Sequence, residues 1–214
     1  AGAATFEYDA DGNMTRTVEN GVETVYGYDA ENRLVSVTTP TDTWCYEYDS
    51  FGDRIGPARN GEKARYGIDP VGWRNVVAGY GATGNLLVSY EHGLGLLTCT
   101  DAKGDSAFLT FSAIGHTGEL TDRDTSVVNS YAYDVFGATV ANLTGRTNAF
   151  GWVGEYGVAS DGTGLHFMRA RYYRSREGRF CTADPIGIAG GVNLYAYAAN
   201  RPVLRSDPEG LQGH

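Results

Sequence analysis

The stretch Phe6-Glu7-Tyr8-Asp9-Ala10-Asp11-Gly12 decides the fold. Its first four residues recur as Tyr26-Gly27-Tyr28-Asp29 and as Tyr46-Glu47-Tyr48-Asp49, 20 residues apart each time. A fourth copy, Tyr131-Ala132-Tyr133-Asp134, comes later. Three residues after each Asp stands Gly12, Asn32, Gly52 or Gly137. Residues i and i+2 of a strand share a face, so each aromatic pair lies on one side of a sheet. Asp suits the first position of a type I turn and Gly the fourth. Asn is the second choice where φ is positive. A second strand follows, as in Arg33-Leu34-Val35-Ser36-Val37-Thr38. Twenty residues hold two strands of about six residues and two turns, so one repeat reads as a β-hairpin. A lone hairpin is marginal in water, and repeats gain stability by stacking on one another.

Composition agrees with an all-β chain. Of 214 residues, 30 are Gly, about twice the usual share of roughly 7%. Fifteen Tyr stand against two Met. This usage fits many short strands joined by tight turns. The formal charge of −9 argues against a general nucleic-acid or anionic-membrane surface. Cys45, Cys99 and Cys181 lie too far apart in sequence for a zinc site or a disulfide framework, and read as buried or half-buried thiols. No apolar run is long enough to span a membrane. No initiator Met and no signal peptide appear, so the chain is expected to be a fragment or a processed product. His92, His116 and His166 read as turn or core residues, and no cofactor or metal motif is present. The sequons at Asn13 and Asn142 are expected to be silent.

An aromatic-x-Tyr-Asp-x-x-Gly unit with a period near 20 resembles the YD repeat of RHS proteins, teneurins and the C components of bacterial toxin complexes. The resemblance implies stacked hairpins forming part of a spiralling β-sheet shell, with a C-terminal core that plugs or lines it. Residues 1–158 are expected to be repeats, clear at 6–55 and 127–140 and degenerate between, weakest from about Arg59 to Asp105. From Ala159 the text changes. Arg169-Ala170-Arg171-Tyr172-Tyr173, Gly178-Arg179-Phe180, Asp184-Pro185, Gly190-Gly191-Val192-Asn193-Leu194-Tyr195, Asn200-Arg201-Pro202 and Asp207-Pro208-Glu209-Gly210-Leu211 follow in order. This series is similar to the RHS-repeat-associated core, expected over 159–211, with 212–214 beyond its cleavage point. Arg174 departs from the family pattern, which has Asp or Asn after the two tyrosines.

The resemblance implies an aspartyl autoprotease that cuts between Leu211 and Gln212 and frees a C-terminal cargo, often a toxin, inside the shell. Asp184 and Asp207 would be the two carboxylates and Arg171 the supporting cation. Arg169, Arg176 and Arg179 stand as alternatives to Arg171, and Arg179 is expected to pair structurally with a carboxylate. The chemistry is sound without a metal or a nucleophilic Ser or Cys. One carboxylate acts as base on water, and the other, protonated, polarises the carbonyl. A neighbouring carboxylate raises a pKa and a neighbouring Arg lowers one. The three residues are 13 and 23 positions apart, so only a folded core could join them. Pro208 and Gly210 suit a turn that presents the bond. Asp-Pro is also a common turn opener, and Asp69-Pro70 carries no catalytic expectation. The competing reading is a structural or adhesive YD-repeat module without protease activity. The expected partners are upstream RHS repeats or a second shell-forming polypeptide, and the cargo itself. The expected location, on family resemblance, is secreted or cell-surface.

Overall fold

In the computed structural model, which describes residues 4–211, the Asp of each repeat closes its turn with its own side chain. Asp9 Oδ1 accepts the amides of Asp11 (3.0 Å) and Asn13 (2.8 Å). Gly12, at φ +84°, donates its N–H to Asp9 O (3.2 Å). This is a type I turn followed by a left-handed residue, the form that makes a bulged three-residue hairpin loop. The same three bonds recur at Asp29, Asp49, Asp101, Asp122 and Asp134. Ser112 Oγ replaces the carboxylate at one further turn, accepting the His116 amide (3.1 Å). Gly81 opens another with backbone bonds alone. At Asn20-Gly21 and Asn60-Gly61, both residues have positive φ and form the two-residue hairpin turns that match strand twist.

These turns fold the chain into antiparallel meanders. The first sheet runs in chain order through β1 (Thr5–Tyr8), β2 (Met14–Glu19), β3 (Val22–Tyr28), β4 (Leu34–Thr38), β5 (Thr43–Tyr48), β6 (Arg54–Arg59) and β7 (Glu62–Lys63). After Ala64 the second sheet runs through β8 (Arg65–Ile68), β9 (Val76–Tyr80), β10 (Leu86–His92), β11 (Leu96–Asp101), β12 (Ser106–Phe111), β13 (Thr117–Thr121), β14 (Val127–Tyr133) and β15 (Thr139–Thr144). The fold is nearly all β, 46% strand and 5% helical, with no closed barrel. No helix among the described residues is long and apolar enough to cross a membrane.

A third, four-stranded sheet holds β16 (Ala159–Ser160), β17 (Leu165–Met168), β18 (Arg171–Arg174) and β19 (Arg179–Phe180). All four residues of β18 are buried, because the strand has the core on both faces. Tyr172 joins Met14, Tyr26, Leu34, Val37, Trp44 and Tyr46 of the first sheet in one apolar cluster. Tyr173, on the opposite face, joins Trp152, Val153, Met168, Phe180 and Tyr197. A third cluster covers the inner side of the second sheet around Leu96, Leu109, Leu120 and Phe150. The aromatic at the start of each early repeat unit thus packs inward, Phe6, Tyr26 and Tyr46 with Tyr28 and Tyr48 beside them. Repeat turns also dock on the core directly. Tyr195 Oη donates to Gly12 O (2.8 Å), and a Cβ on Gly12 would lie 2.5 Å from that hydroxyl.

Arg174 stands in place of the family's turn residue and the turn is still made, Gly178 donating to Arg174 O (3.0 Å). It ends β18 and is held by Glu177, Glu19 and Tyr26 Oη. Arg179 corrects an expectation: it is exposed and enters no ion pair among the described residues, because its side chain points away from the core face that Phe180 fills. The buried amide of Asn13 bonds Asp9 and Asn32 inside a repeat turn, so that sequon is occupied structurally. Cys45, Cys99 and Cys181 are free thiols, the first exposed and the others buried.

Candidate active site

Three stretches far apart in sequence meet at Arg171. The tight β17–β18 hairpin, which pairs Met168 with Arg171, sets the arginine at the start of β18 with its guanidinium on the Phe180 ring (3.6 Å to the centroid). Its Nη2 lies 2.8 Å from Asp184 Oδ2 and 3.6 Å from Asp207 Oδ2. Nη1 donates to Leu194 O (2.8 Å), and Nε donates to Gly210 O. The three side chains are 1%, 5% and 1% exposed in the order Arg171, Asp184, Asp207, so water screens this cluster little. Burial lowers the Arg171 pKa from the ordinary arginine value, while Asp184 and Asp207 pull it back up. Two acids sharing one cation leave one negative charge over, which a single proton would neutralise.

Each Asp also makes a turn. Asp184 Oδ1 accepts the Ile186 amide (3.0 Å), and Gly187 donates to Asp184 O (2.9 Å). Asp207 Oδ1 accepts the Leu211 amide (3.0 Å), and Gly210, at φ +67°, donates to Asp207 O (3.2 Å). The latter is the repeat turn again, with Pro208 at the position that favours proline. Gly210 is required twice over, by its positive φ and because a Cβ would sit 2.5 Å from Met168 O.

The structure therefore brings together Arg171, Asp184, Asp207 and the Leu211 amide, all anticipated as site residues. Gln212 lies outside the described residues. Of the alternative arginines, Arg176 is on the surface with Glu19, while Arg169 contacts the site turn through Pro208 O (2.7 Å) and touches neither carboxylate. Phe180 and Leu194 were not anticipated as site residues. Both lie in motifs quoted above, G-R-F and G-G-x-N-L-Y, whose order alone does not reveal that they cradle the guanidinium. No group of side chains able to hold a metal occurs among the described residues.

Two bulged-hairpin meanders packed on a small sheet that carries a buried Arg–Asp–Asp cluster define the class, an antiparallel YD-repeat fold. A family model described as RHS Repeat matches residues 8–43. The chain is 33% identical over 218 residues to the tRNA nuclease WapA of Bacillus subtilis, a match covering 96% of this chain and 9% of that protein. It is 29% identical over 243 residues to the double-stranded DNA deaminase toxin A of Burkholderia cenocepacia, covering 97% and 17% respectively. Its fold matches a solved structure, the crystal structure of TcdB2-TccC3-Cdc42, with TM-score 0.68 at 17% identity, covering 97% of this chain and 13% of that one. Residues 8–43 thus carry an RHS repeat, and the chain is similar over nearly its whole length to RHS-type toxin proteins. It spans less than a fifth of the length of each of these relatives.

Proposed function

We propose that this chain closes an RHS shell and cuts its own backbone once, between Leu211 and Gln212, releasing the segment that follows. The observation that carries the reading is the convergence of Arg171, Asp184 and Asp207 on the turn that leads to that bond. In the reaction one carboxylate takes a proton from water as its oxygen attacks the Leu211 carbonyl carbon. The other, protonated, gives its proton to the Gln212 nitrogen as the C–N bond breaks. One water is consumed, leaving a Leu211 carboxylate and a Gln212 amine. Arg171 offsets one of the two carboxylate charges and holds Gly210 O, fixing the approach to the bond.

The comparisons support the shell part of this reading. One relative is named for tRNA cleavage and another for DNA deamination, yet both share nearly the whole of this chain. A stretch common to such different chemistries fits a shared container better than either toxin. The outer edges of β1 and β15 pair with no strand among the described residues, and such edges call for further repeats or a partner polypeptide. A cargo inside the shell, and secretion or surface display, complete the proposal.

The structural reading without protease activity has one observation in its favour: the Asp207–Leu211 bond is the same bond that every Asp repeat turn makes. The test is the intact mass, under denaturing conditions, of wild type and Asp184→Asn with a reporter after His214. Self-cleavage gives a wild-type chain ending at Leu211 and an uncut variant. Ends at Asp184 or Asp207 would mark acid scission of Asp-Pro bonds instead. A folded, uncut wild type leaves the structural reading.

A further inference from the structure

The loop of the β17–β18 hairpin meets the cleavage turn residue for residue. Arg169 Nη1 donates to Pro208 O (2.7 Å), Ala170 N to Glu209 O (3.1 Å), and Arg171 Nε to Gly210 O. Three consecutive residues thus hold three consecutive carbonyls just ahead of the bond to be cut. Arg171 spends its other nitrogens on Asp184 and Leu194. Arg169 spends its others on the repeats and the segment before the core. Nε donates to Trp73 O (2.6 Å), and Nη2 to Asn75 Oδ1 (3.0 Å) and Tyr156 O (2.8 Å). Its guanidinium carbon also lies 5.5 Å from the Trp73 ring centroid.

Two features say that this placement has a purpose beyond packing. All four of these hydrogen bonds go to neutral oxygens, so a half-buried cation is kept without a carboxylate in contact, an arrangement that returns less than an ion pair does. Burial lowers the Arg169 pKa to about 10, with Glu209 and Asp53 acting against it. The residue also sits at φ +51°, a region unfavourable for a side chain of this kind.

We infer that Arg169 is a positioning residue for self-cleavage: it clamps Pro208 O and ties the turn that presents the Leu211–Gln212 bond to the Trp73–Asn75 loop of the repeats. The inference rests on the proposed self-cleavage. Under it, the bond is held in cutting geometry only when that loop is seated against the core, so cutting follows folding of the repeats.

Arg169→Met and Arg169→Lys test it in two backgrounds. In the otherwise wild-type chain, the first-order rate of cleavage read by intact mass falls about 10- to 100-fold in Arg169→Met. Methylguanidinium at sub-denaturing concentration restores part of the rate. Lys keeps the charge but not the planar fork, so Arg169→Lys falls between. In the Asp184→Asn background, amide exchange at Gly210 and Leu211 quickens in Arg169→Met while exchange at Asn13, in a repeat turn, is unchanged. Wild-type rate and wild-type exchange together overturn the inference. Equal quickening at Asn13 and Leu211 also overturns it, because it marks a general folding role. An uncut wild type with selective quickening at Leu211 removes self-cleavage and keeps the clamp.

Discussion

Asp9 and Asp207 each accept the amide of the residue four places on, at 2.8 and 3.0 Å, and each is followed three places on by a glycine at positive φ. Asp9 is exposed, whereas Asp207 is 1% exposed beside Arg171 and Asp184. Asp69-Pro70-Val71-Gly72 stands between the two. It has the Asp-Pro-x-Gly text of the site, its Oδ1 accepts the Val71 amide (2.9 Å), and it is exposed with no arginine on it. Turn chemistry is therefore the common element, and burial against a guanidinium is what differs. The candidate site is thus a repeat turn placed where water is excluded and a cation and second acid are fixed.

The largest expected break in that comparison is Asp207→Ala against Asp9→Ala. The first leaves the Leu211 amide without its acceptor and strips one carboxylate from a buried cluster in which Asp184 still balances Arg171, and should cost about 3 kcal/mol or a little more. The second loses exposed turn bonds and should cost about 1 kcal/mol. Denaturant midpoints of the two variants measure the gap, and equal losses would mean that the burial of Asp207 is energetically idle. Glycine replacement is next. Gly210→Ala combines positive-φ strain with a Cβ 2.5 Å from Met168 O, for about 3 kcal/mol in all. Gly52→Ala has no atom within 4 Å of its Cβ, so about 1–2 kcal/mol of backbone strain remains. Thermal unfolding of the two separates strain from clash.

How much was legible follows from which atoms make the turns. The reading keyed on Tyr-Asp found the repeats where both letters persist and called 59–105 degenerate. There one letter of the pair is lost but the turn is kept, by Asp101 with Gly104 after Thr100 in place of Tyr, and by Gly81 with Gly84 after Tyr80 in place of Asp. The turn needs only an acceptor and a residue tolerant of positive φ, so the turn bonds, and not the Tyr-Asp pair, are what the repeats keep. Asn20-Gly21 and Asn60-Gly61 were equally visible signals of the alternate turns. That Arg171, Asp184 and Asp207 would meet could be expected from motif order, but not their shared nitrogen at Arg171. The partners of Arg169 could not be named at all, since Trp73 and Asn75 are 96 and 94 residues away.

A smaller effect separates a repeat turn from the core by pH. His116 follows the Ser112 turn, stacks on Trp152 at 3.6 Å between centroids, and accepts the Val153 amide at Nδ1 (3.1 Å). Burial, and then the charge of His166, lowers its pKa from 6.5 to about 4. The neutral ring is the native one, so its contribution is intact above the unfolded pKa near 6.5 and is lost as pH falls from there toward about 4. With partial exposure discounted, roughly 1–2 kcal/mol is expected. His116→Phe should flatten that part of the stability–pH curve relative to wild type. An unchanged slope would mean that the imidazole titrates equally in the folded and unfolded states. Smallest of all, Asp69→Ala should shift the midpoint by less than about 1 kcal/mol, despite sharing the text of the site.

Asp207→Asn tests the central claim most directly, because it separates the turn from the chemistry. The asparagine keeps an Oδ1 that can accept the Leu211 amide, so the turn survives, but it removes the carboxylate. Intact mass over time, beside a denaturant midpoint, reads both. The account predicts a folded chain that stays uncut while wild type ends at Leu211. A folded Asp207→Asn chain that cuts at the wild-type rate would contradict it.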